Sequence, residues 1–262
     1  MGRIPVALHV DGIEKRRAKW GLVGSAVYAL SERLATVLPD RLVTDARVIA
    51  SHYLERYGAA SSVITYGVEP RHLPLPAELA GRLGIASRRY FLYVSRFEPE
   101  NNPHRVVQAY GGVDGDMPLL MVGSAPYADD FIRGFTEDAD HRVRFPGAIY
   151  GEDYHRLLSG ALAYIHATEV GGTHPALVEA MGYGNVLVVN DTPENREVAG
   201  PTALYFDASR PVSLAERLNW ILENPDEVAK MRIAAAERAR RDYSWERVSE
   251  QYERLFREMA GH

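Results

Sequence analysis

The sequence predicts an α/β protein in which parallel sheets are covered by helices, with a small first unit followed by a larger second one. Short apolar runs alternate with stretches of helical periodicity along almost the whole chain. Runs such as Val186-Leu187-Val188-Val189 are apolar at every position, as strands buried on both faces require. The alternation is broken at Gly67-Val68-Glu69-Pro70-Arg71-His72-Leu73-Pro74-Leu75-Pro76, where Pro70, Pro74 and Pro76 resist both helix and strand.

The first unit, residues 1–72, opens on a strand at Pro5–Val10 and continues with a helix over Leu22–Leu38. A strand at Arg41–Thr44, a helix over Ala46–Tyr57 and a strand at Ser62–Thr65 complete it. Three strands are few for an open α/β sheet, so this unit is either a remnant or a sheet finished by polypeptide from elsewhere. Residues 73–77 read as the linker. The second unit, residues 78–244, carries strands at Tyr90–Val94, Leu119–Val122, Val143–Phe145, Ala161–His166, Val186–Val189 and Leu204–Phe206. Helical periodicity separates or follows them at His104–Tyr110, Tyr154–Ser159, Pro175–Tyr183, Val212–Glu223 and Pro225–Asp242. A last helix, Trp245–Met259, spaces Trp245, Tyr252 and Phe256 for packing within residues 245–262.

The 262 residues are 46% hydrophobic and 25% charged, enough to bury one large or two medium cores. A net charge of −5 argues against a general nucleic-acid binder, which shows a clustered basic excess. The chain has no cysteine, which excludes disulfides and thiolate metal sites and fits a reducing compartment. The opening run is too short for a secretory signal and is interrupted by Asp11. No stretch approaches the roughly 20 apolar residues of a membrane span. His52, His72, His104, His141, His155, His166 and His174 lack ligand spacing, so no metal is expected. Neither a G-x-S-x-G elbow nor a P-loop is present.

Two segments carry candidate chemistry. In Gly171-Gly172-Thr173-His174-Pro175, a strand hands over to a helix through two glycines. Backbone can approach a ligand closely there, beside free N–H groups and the positive end of a helix. That suits a diphosphate, and Glu179 lies about a turn into the helix, within reach of a ribose hydroxyl. A plainer alternative is a tight turn with a solvated Glu179. In Ser95-Arg96-Phe97-Glu98-Pro99-Glu100-Asn101-Asn102, a strand delivers Ser95 and Arg96 to its carboxyl end, where open α/β sheets bind ligands. Arg96 can grip phosphate through paired donors, with Asn101 or Asn102 adding neutral ones. Here the alternative is a surface arginine paired with Glu98 or Glu100.

The ordered set of these segments, with Gly123, Gly147 and Asn195-Arg196-Glu197-Val198, resembles the donor domain of retaining GT-B glycosyltransferases of the GT4 type. His9-Val10-Asp11-Gly12-Ile13-Glu14-Lys15-Arg16-Arg17-Ala18-Lys19-Trp20, Ser31-Glu32-Arg33-Leu34-Ala35 and Thr65-Tyr66-Gly67-Val68 are similar to the rhamnosyltransferase-like branch. The resemblance covers nearly the whole chain. It implies a GT-B arrangement: a truncated N-terminal Rossmann-like domain, without the family's first glycine-rich strand-loop-helix, and a complete C-terminal donor domain.

By resemblance, Arg96 holds the diphosphate, and Asn101 and Asn102 stand where the family usually has lysine. Glu179 matches the second acid of an E-x7-E pattern and binds ribose. Eight residues earlier stands Gly171 in place of the sugar-contacting acid, for which Glu169 is a candidate substitute. Thr173 and the backbone of Gly171 and Gly172 cradle phosphate oxygens, and the Gly147-Ala148-Ile149 turn packs on the nucleobase. His174, by its place in the same loop, can contact donor sugar or phosphate. Asp11 orients or deprotonates the acceptor hydroxyl, or else caps an Asp-Gly turn.

The function implied is metal-independent transfer, with retention, of a hexose or a deoxyhexose such as rhamnose. The donor is a nucleotide diphosphate sugar and the acceptor a glycan or lipid-linked acceptor in polysaccharide biosynthesis. The alternatives are a non-catalytic or split-subunit nucleotide-sugar binder, completed by a partner chain or a second copy, and a GT-B-type epimerase. The expected location is the cytoplasm. Lys15, Arg16, Arg17, Lys19 and Trp20 read as a solvated helix start, as a site for an anionic acceptor, or as a peripheral contact with the inner face of the plasma membrane.

Overall fold

The computed structural model describes residues 4–13, 21–125 and 128–261, so the Lys15–Trp20 cluster lies outside the described residues. Two parallel sheets organise the chain. The first joins β1 (Ala7–Val10), β2 (Arg41–Thr44) and β3 (Ser62–Val63) in that order. The second contains β4 (Phe91–Val94), β5 (Leu119–Val122), β6 (Val143–Gly147), β7 (Ala163–His166), β8 (Val186–Asn190) and β9 (Ala203–Phe206). Its spatial order is β6-β5-β4-β7-β8-β9. Counted from β4, this is the 3-2-1-4-5-6 order of a Rossmann sheet.

Each expected strand is present, and the second sheet shows why its strands are apolar throughout. Phe91, Tyr93, Leu119, Met121, Ile165 and Val188 face one core, packed with Val106, Tyr110, Leu214 and Leu218. Their neighbours Leu92, Leu120, Val122, Tyr164, Leu187 and Val189 face the other, packed with Leu157, Leu177, Met181 and Ala235. Alternation with a period of two therefore buries both faces.

On the first sheet, α1 (Leu22–Ala35) and α2 (Arg47–Tyr57) follow their strands as expected. Helices α4 (Pro103–Tyr110), α6 (Gly151–Gly160), α7 (Pro175–Gly182), α9 (Pro211–Glu223), α10 (Pro225–Asp242) and α11 (Trp245–Ala260) match the periodic stretches of the sequence. Three helices are additional: α3 (Ala77–Leu83), α5 (Asp129–Thr136) and α8 (Pro193–Ala199). They are short, and Gly81 in α3 and Gly134 in α5 weaken the local helix signal.

Helix α11 seals one face of the first sheet, with Val248 and Leu255 packed on Val43 and Ile64. The proline-rich segment before α3 is anchored at its start: the Val68 amide donates to the Tyr243 carbonyl at 2.7 Å. Across the other face Ile13, Leu42, Ala46, Ile49 and Tyr53 form a small core. Beyond it, β1 pairs only with β2 among the described residues, and α1 exposes Val23, Val27, Leu30 and Leu34 along one helical stripe.

The sheets are stapled by polar contacts from both sides. Helix α2 has alanine at its N-cap and no side-chain cap of its own. Glu197, on α8, supplies one: Oε1 accepts from the Arg47 amide at 2.7 Å and Oε2 from the Val48 amide at 3.0 Å. A carboxylate on a helix N-terminus satisfies orphan donors and meets the positive end of the dipole. Glu197→Ala is expected to lower unfolding free energy by about 1–2 kcal/mol. Glu197→Gln, which keeps one acceptor, should cost less. Urea melts of the two variants superimposed on wild type would show the staple to be idle.

Candidate functional site

In the second sheet the strand order reverses between β4 and β7, and a crevice opens at their carboxyl ends. A cavity of about 310 Å³ occupies it, lined among others by Ser95, Arg96, Ser124, Ile149, His166 and His174. These residues converge because each comes from the carboxyl end of a strand of one parallel sheet or from the turn that follows it.

Arg96 extends from the end of β4 into this region. Its Nη1 lies 3.7 Å from Oε1 of Glu98, whose side chain is buried while Arg96 is mostly exposed. The surface pairing that the sequence left open and the cavity-lining position therefore hold together. An exposed guanidinium with one ion-pair partner among the described residues keeps donors for an anion. Asn101 gives its amide to the Arg96 carbonyl at 2.8 Å, which fixes the turn carrying the arginine. Asn102 sits in a left-handed conformation, φ 55°, as the residue before α4. Both of its amide donations are committed, to the Ala167 carbonyl and to Oε1 of Glu169, each at 2.9 Å. Asn102 thus ties the ends of β4 and β7 together and holds Glu169, whose own amide donates to the Glu100 carbonyl. Neutral donation by Asn102 to phosphate is not what this structure shows.

The glycine loop also departs from expectation. The Gly172 amide donates to the Asp11 carbonyl at 3.2 Å. Thr173 donates its amide to Oδ2 of Asp45 and its hydroxyl to the Asp45 carbonyl, each at 2.7 Å. A Cβ on Gly172 would stand 2.1 Å from Oδ1 of Asp45, so glycine is required by this close approach. In this structure Gly172 and Thr173 hold the first sheet against the second, where the sequence suggested a phosphate cradle. Asp11 enters the same junction through its backbone while its side chain is exposed. Gly12 lies behind it, a Cβ there falling 3.4 Å from the Cα of Gly171.

Asp45, absent from the sequence-level candidates, ends up fully buried, and burial pushes its carboxyl up to about 7. Nothing local marks it: an acid after a short strand becomes a latch only once the other sheet is in place.

His174 is the N-cap residue of α7, and its ring lies over Gly171, where a Cβ would meet Cε1 at 2.4 Å. His166, the last residue of β7, is buried 4.7 Å away, centroid to centroid. Burial and then the charge of His174 push its imidazole well below the usual range, so it is neutral. On sequence grounds it read as a hydrogen-bonded core residue. It is in the core, yet it lines the crevice.

Gly147, φ 82°, ends β6, and its carbonyl accepts from the Gly123 amide at 3.1 Å; Ala148, Ile149 and Tyr150 follow along the cavity wall. Glu179 lies apart from Arg96. Its Oε2 accepts from the Tyr154 hydroxyl at 2.5 Å, and it lines a second, larger cavity of about 520 Å³ with Arg71, Gly151, Glu152, His155 and Tyr183. The two cavities meet in sequence at Tyr150 and Gly151, and both touch α7. The smaller one sits at the switch point and brings Arg96 beside Ser95, Ser124 and the first residues of α7, so it is the stronger candidate for chemistry.

The family model described as glycosyl transferases group 1 matches residues 79–241. The D-rhamnosyltransferase WbpZ of Pseudomonas aeruginosa is 24% identical over 188 residues, 69% of this chain and 49% of that protein. The phosphatidyl-myo-inositol mannosyltransferase of Mycobacterium leprae is 28% identical over 217 residues, 79% of this chain and 56% of that one. The chain thus spans about half the length of these curated relatives. Among solved structures, Anabaena Alr3699/HepE in complex with UDP and glucose superposes with a TM-score of 0.83 at 17% identity, over 98% of this chain and 72% of that one.

Proposed function

The chain belongs to the glycosyl transferases group 1 family and has the GT-B fold, and from that premise we propose that it binds a nucleotide diphosphate sugar in the crevice between β4 and β7 and serves transfer of the sugar. The observation that carries the reading is the convergence of Arg96, Ser95, Ser124 and the N-terminus of α7 on one cavity at the switch point. An anion there meets a guanidinium, two hydroxyls and a helix dipole. That set can neutralise a departing diphosphate without a metal. The nucleobase lies against Ile149, and the ribose reaches Glu179 in the adjoining cavity.

The transferred group is a hexose or deoxyhexose, moved with retention to a glycan or lipid-linked acceptor in polysaccharide biosynthesis in the cytoplasm. Support for the donor comes from the relatives' names, a rhamnosyltransferase and a mannosyltransferase, and from the UDP and glucose bound to HepE. Residues 1–72 form the acceptor side, with Asp11 at its edge, 73–77 the linker, 78–244 the donor domain and 245–262 the returning helix. Transfer draws on further strands, from a longer polypeptide of which this chain is a part, a partner chain or a second copy, that cover the apolar stripe of α1 beside β1. The stripe favours packing against further polypeptide over a binder complete in itself.

Thermal-shift and calorimetric titration with UDP, GDP and dTDP sugars tests the donor site. At least one is expected to stabilise the protein. Arg96→Ala should weaken it about 10- to 100-fold, the scale of hydrogen bonds to a charged group. Glu179→Ala should weaken nucleoside and nucleotide alike. Wild-type affinity in both variants, or folded protein that binds none of the three, would remove the assignment.

A further inference from the structure

We propose that His174 and His166 together read the transferred sugar, His174 as the residue in contact with it and His166 as the positioning residue beneath. The inference rests on the donor site proposed above and names what recognises the sugar within it.

Position 171 can carry no side chain while His174 is seated, because a Cβ there would stand 2.4 Å from Cε1 and 2.6 Å from Nε2 of that ring. The imidazole of His174 therefore fills the space a residue at 171 would use. Both histidines line the cavity that holds Arg96. Beneath His174, the ring of His166 is held between two neighbours: it stacks on Tyr164 at 6.2 Å and 21°, and lies 4.7 Å and 53° from His174. Its Nε2 is buried and has no hydrogen-bond partner among the described residues. A buried polar atom left in that condition calls for a role in the site. His166 is also neutral, so it supports His174 without adding a charge. The charged and anion-binding groups of the crevice, Arg96 and the α7 N-terminus, suit the diphosphate. An imidazole, which can donate and accept, suits the hydroxyls of an uncharged sugar.

The test compares UDP with UDP-glucose, and GDP with GDP-mannose, by calorimetry, and takes the ratio of the two Kd values as the sugar's own contribution. His174→Ala is expected to reduce that ratio about tenfold, the scale of one lost hydrogen bond, and to leave the bare nucleotide within about twofold. Gly171→Ala, which displaces the His174 ring while leaving both imidazoles in the chain, should reduce it likewise. His166→Phe should reduce it less, and the His166→Phe/His174→Ala double variant should lose no more than His174→Ala alone, because His166 acts through His174. A ratio unchanged in His174→Ala and Gly171→Ala, or an additive double variant, overturns the proposal while nucleotide binding stands. Wild-type protein that binds neither nucleotide overturns the donor site itself.

Discussion

Gly123→Ala is expected to lower unfolding free energy by about 2–3 kcal/mol, the upper range for overpacking a filled site, and to abolish nucleotide binding. A Cβ at this position would stand 1.9 Å from the Ser95 carbonyl oxygen and 2.8 Å from the Phe97 ring. The nearer obstacle is backbone, so no side-chain rotation relieves it. Only displacement of the Ser95–Phe97 segment can, and Arg96 rides on that segment. The Gly123 amide also ties β5 to the end of β6 through the Gly147 carbonyl. Gly134→Ala is the matched control. It lies within α5 with nothing inside 4 Å of its Cβ, and alanine there should add about 0.5–1 kcal/mol. Urea melts and nucleotide titrations of the pair check both numbers. Equal stability and binding for Gly123→Ala and wild type would show that the β4 turn yields easily.

The second large effect concerns the latch. Asp45 is expected to make stability depend on pH in a sense opposite to that of an ordinary paired carboxylate. Burial outweighs the Thr173 amide bond and lifts its pKa from 3.8 to about 7, with repulsion from Asp11 and Glu197 adding to the rise. A folded pKa above the unfolded one means that the proton stabilises the fold. That contribution is complete below pH 3.8 and is lost as pH rises to about 7. Asp45→Asn, with an uncharged acceptor for Thr173, should remove this dependence and be at least as stable as wild type at pH 8. His9, His104 and His166 are pushed below 6.5 by burial and act the other way, losing stability as pH falls below the unfolded value. The difference in unfolding free energy between variant and wild type, from urea melts at each pH, cancels them. It should change across pH 4–7 by about 1.4 kcal/mol per unit at most. A difference that does not vary over that range would place Asp45 outside the titration.

The elements were legible where burial is two-sided and continuous. The strands of the second sheet are apolar on both faces, and the long helices α9, α10 and α11 keep their period for three turns or more. Helices α3, α5 and α8 were not legible, since their helical state depends on the sheet they lie against. The crevice was legible from chain chemistry: Ser95-Arg96 and Gly171–Glu179 each follow a strand, and parallel strands share one carboxyl end. The use of individual donors was not. Asn102, Gly172 and Thr173 carry groups that would serve phosphate equally well. Their commitment to Glu169, Asp11 and Asp45 depends on partners distant in the chain, Asp45 being 128 residues from Thr173 and Asp11 further still from Gly172.

By itself the sequence determined the α/β class, the strands and the grouping of basic, glycine-rich and hydroxyl residues on strand ends, because period, burial and turn chemistry are local properties. Only the tertiary structure decided which of those groups face a ligand and which fasten one sheet to the other. It seats His174 over Gly171, buries Asp45 against Gly172 and turns Glu197 onto α2, since each of these depends on how closely distant backbones approach.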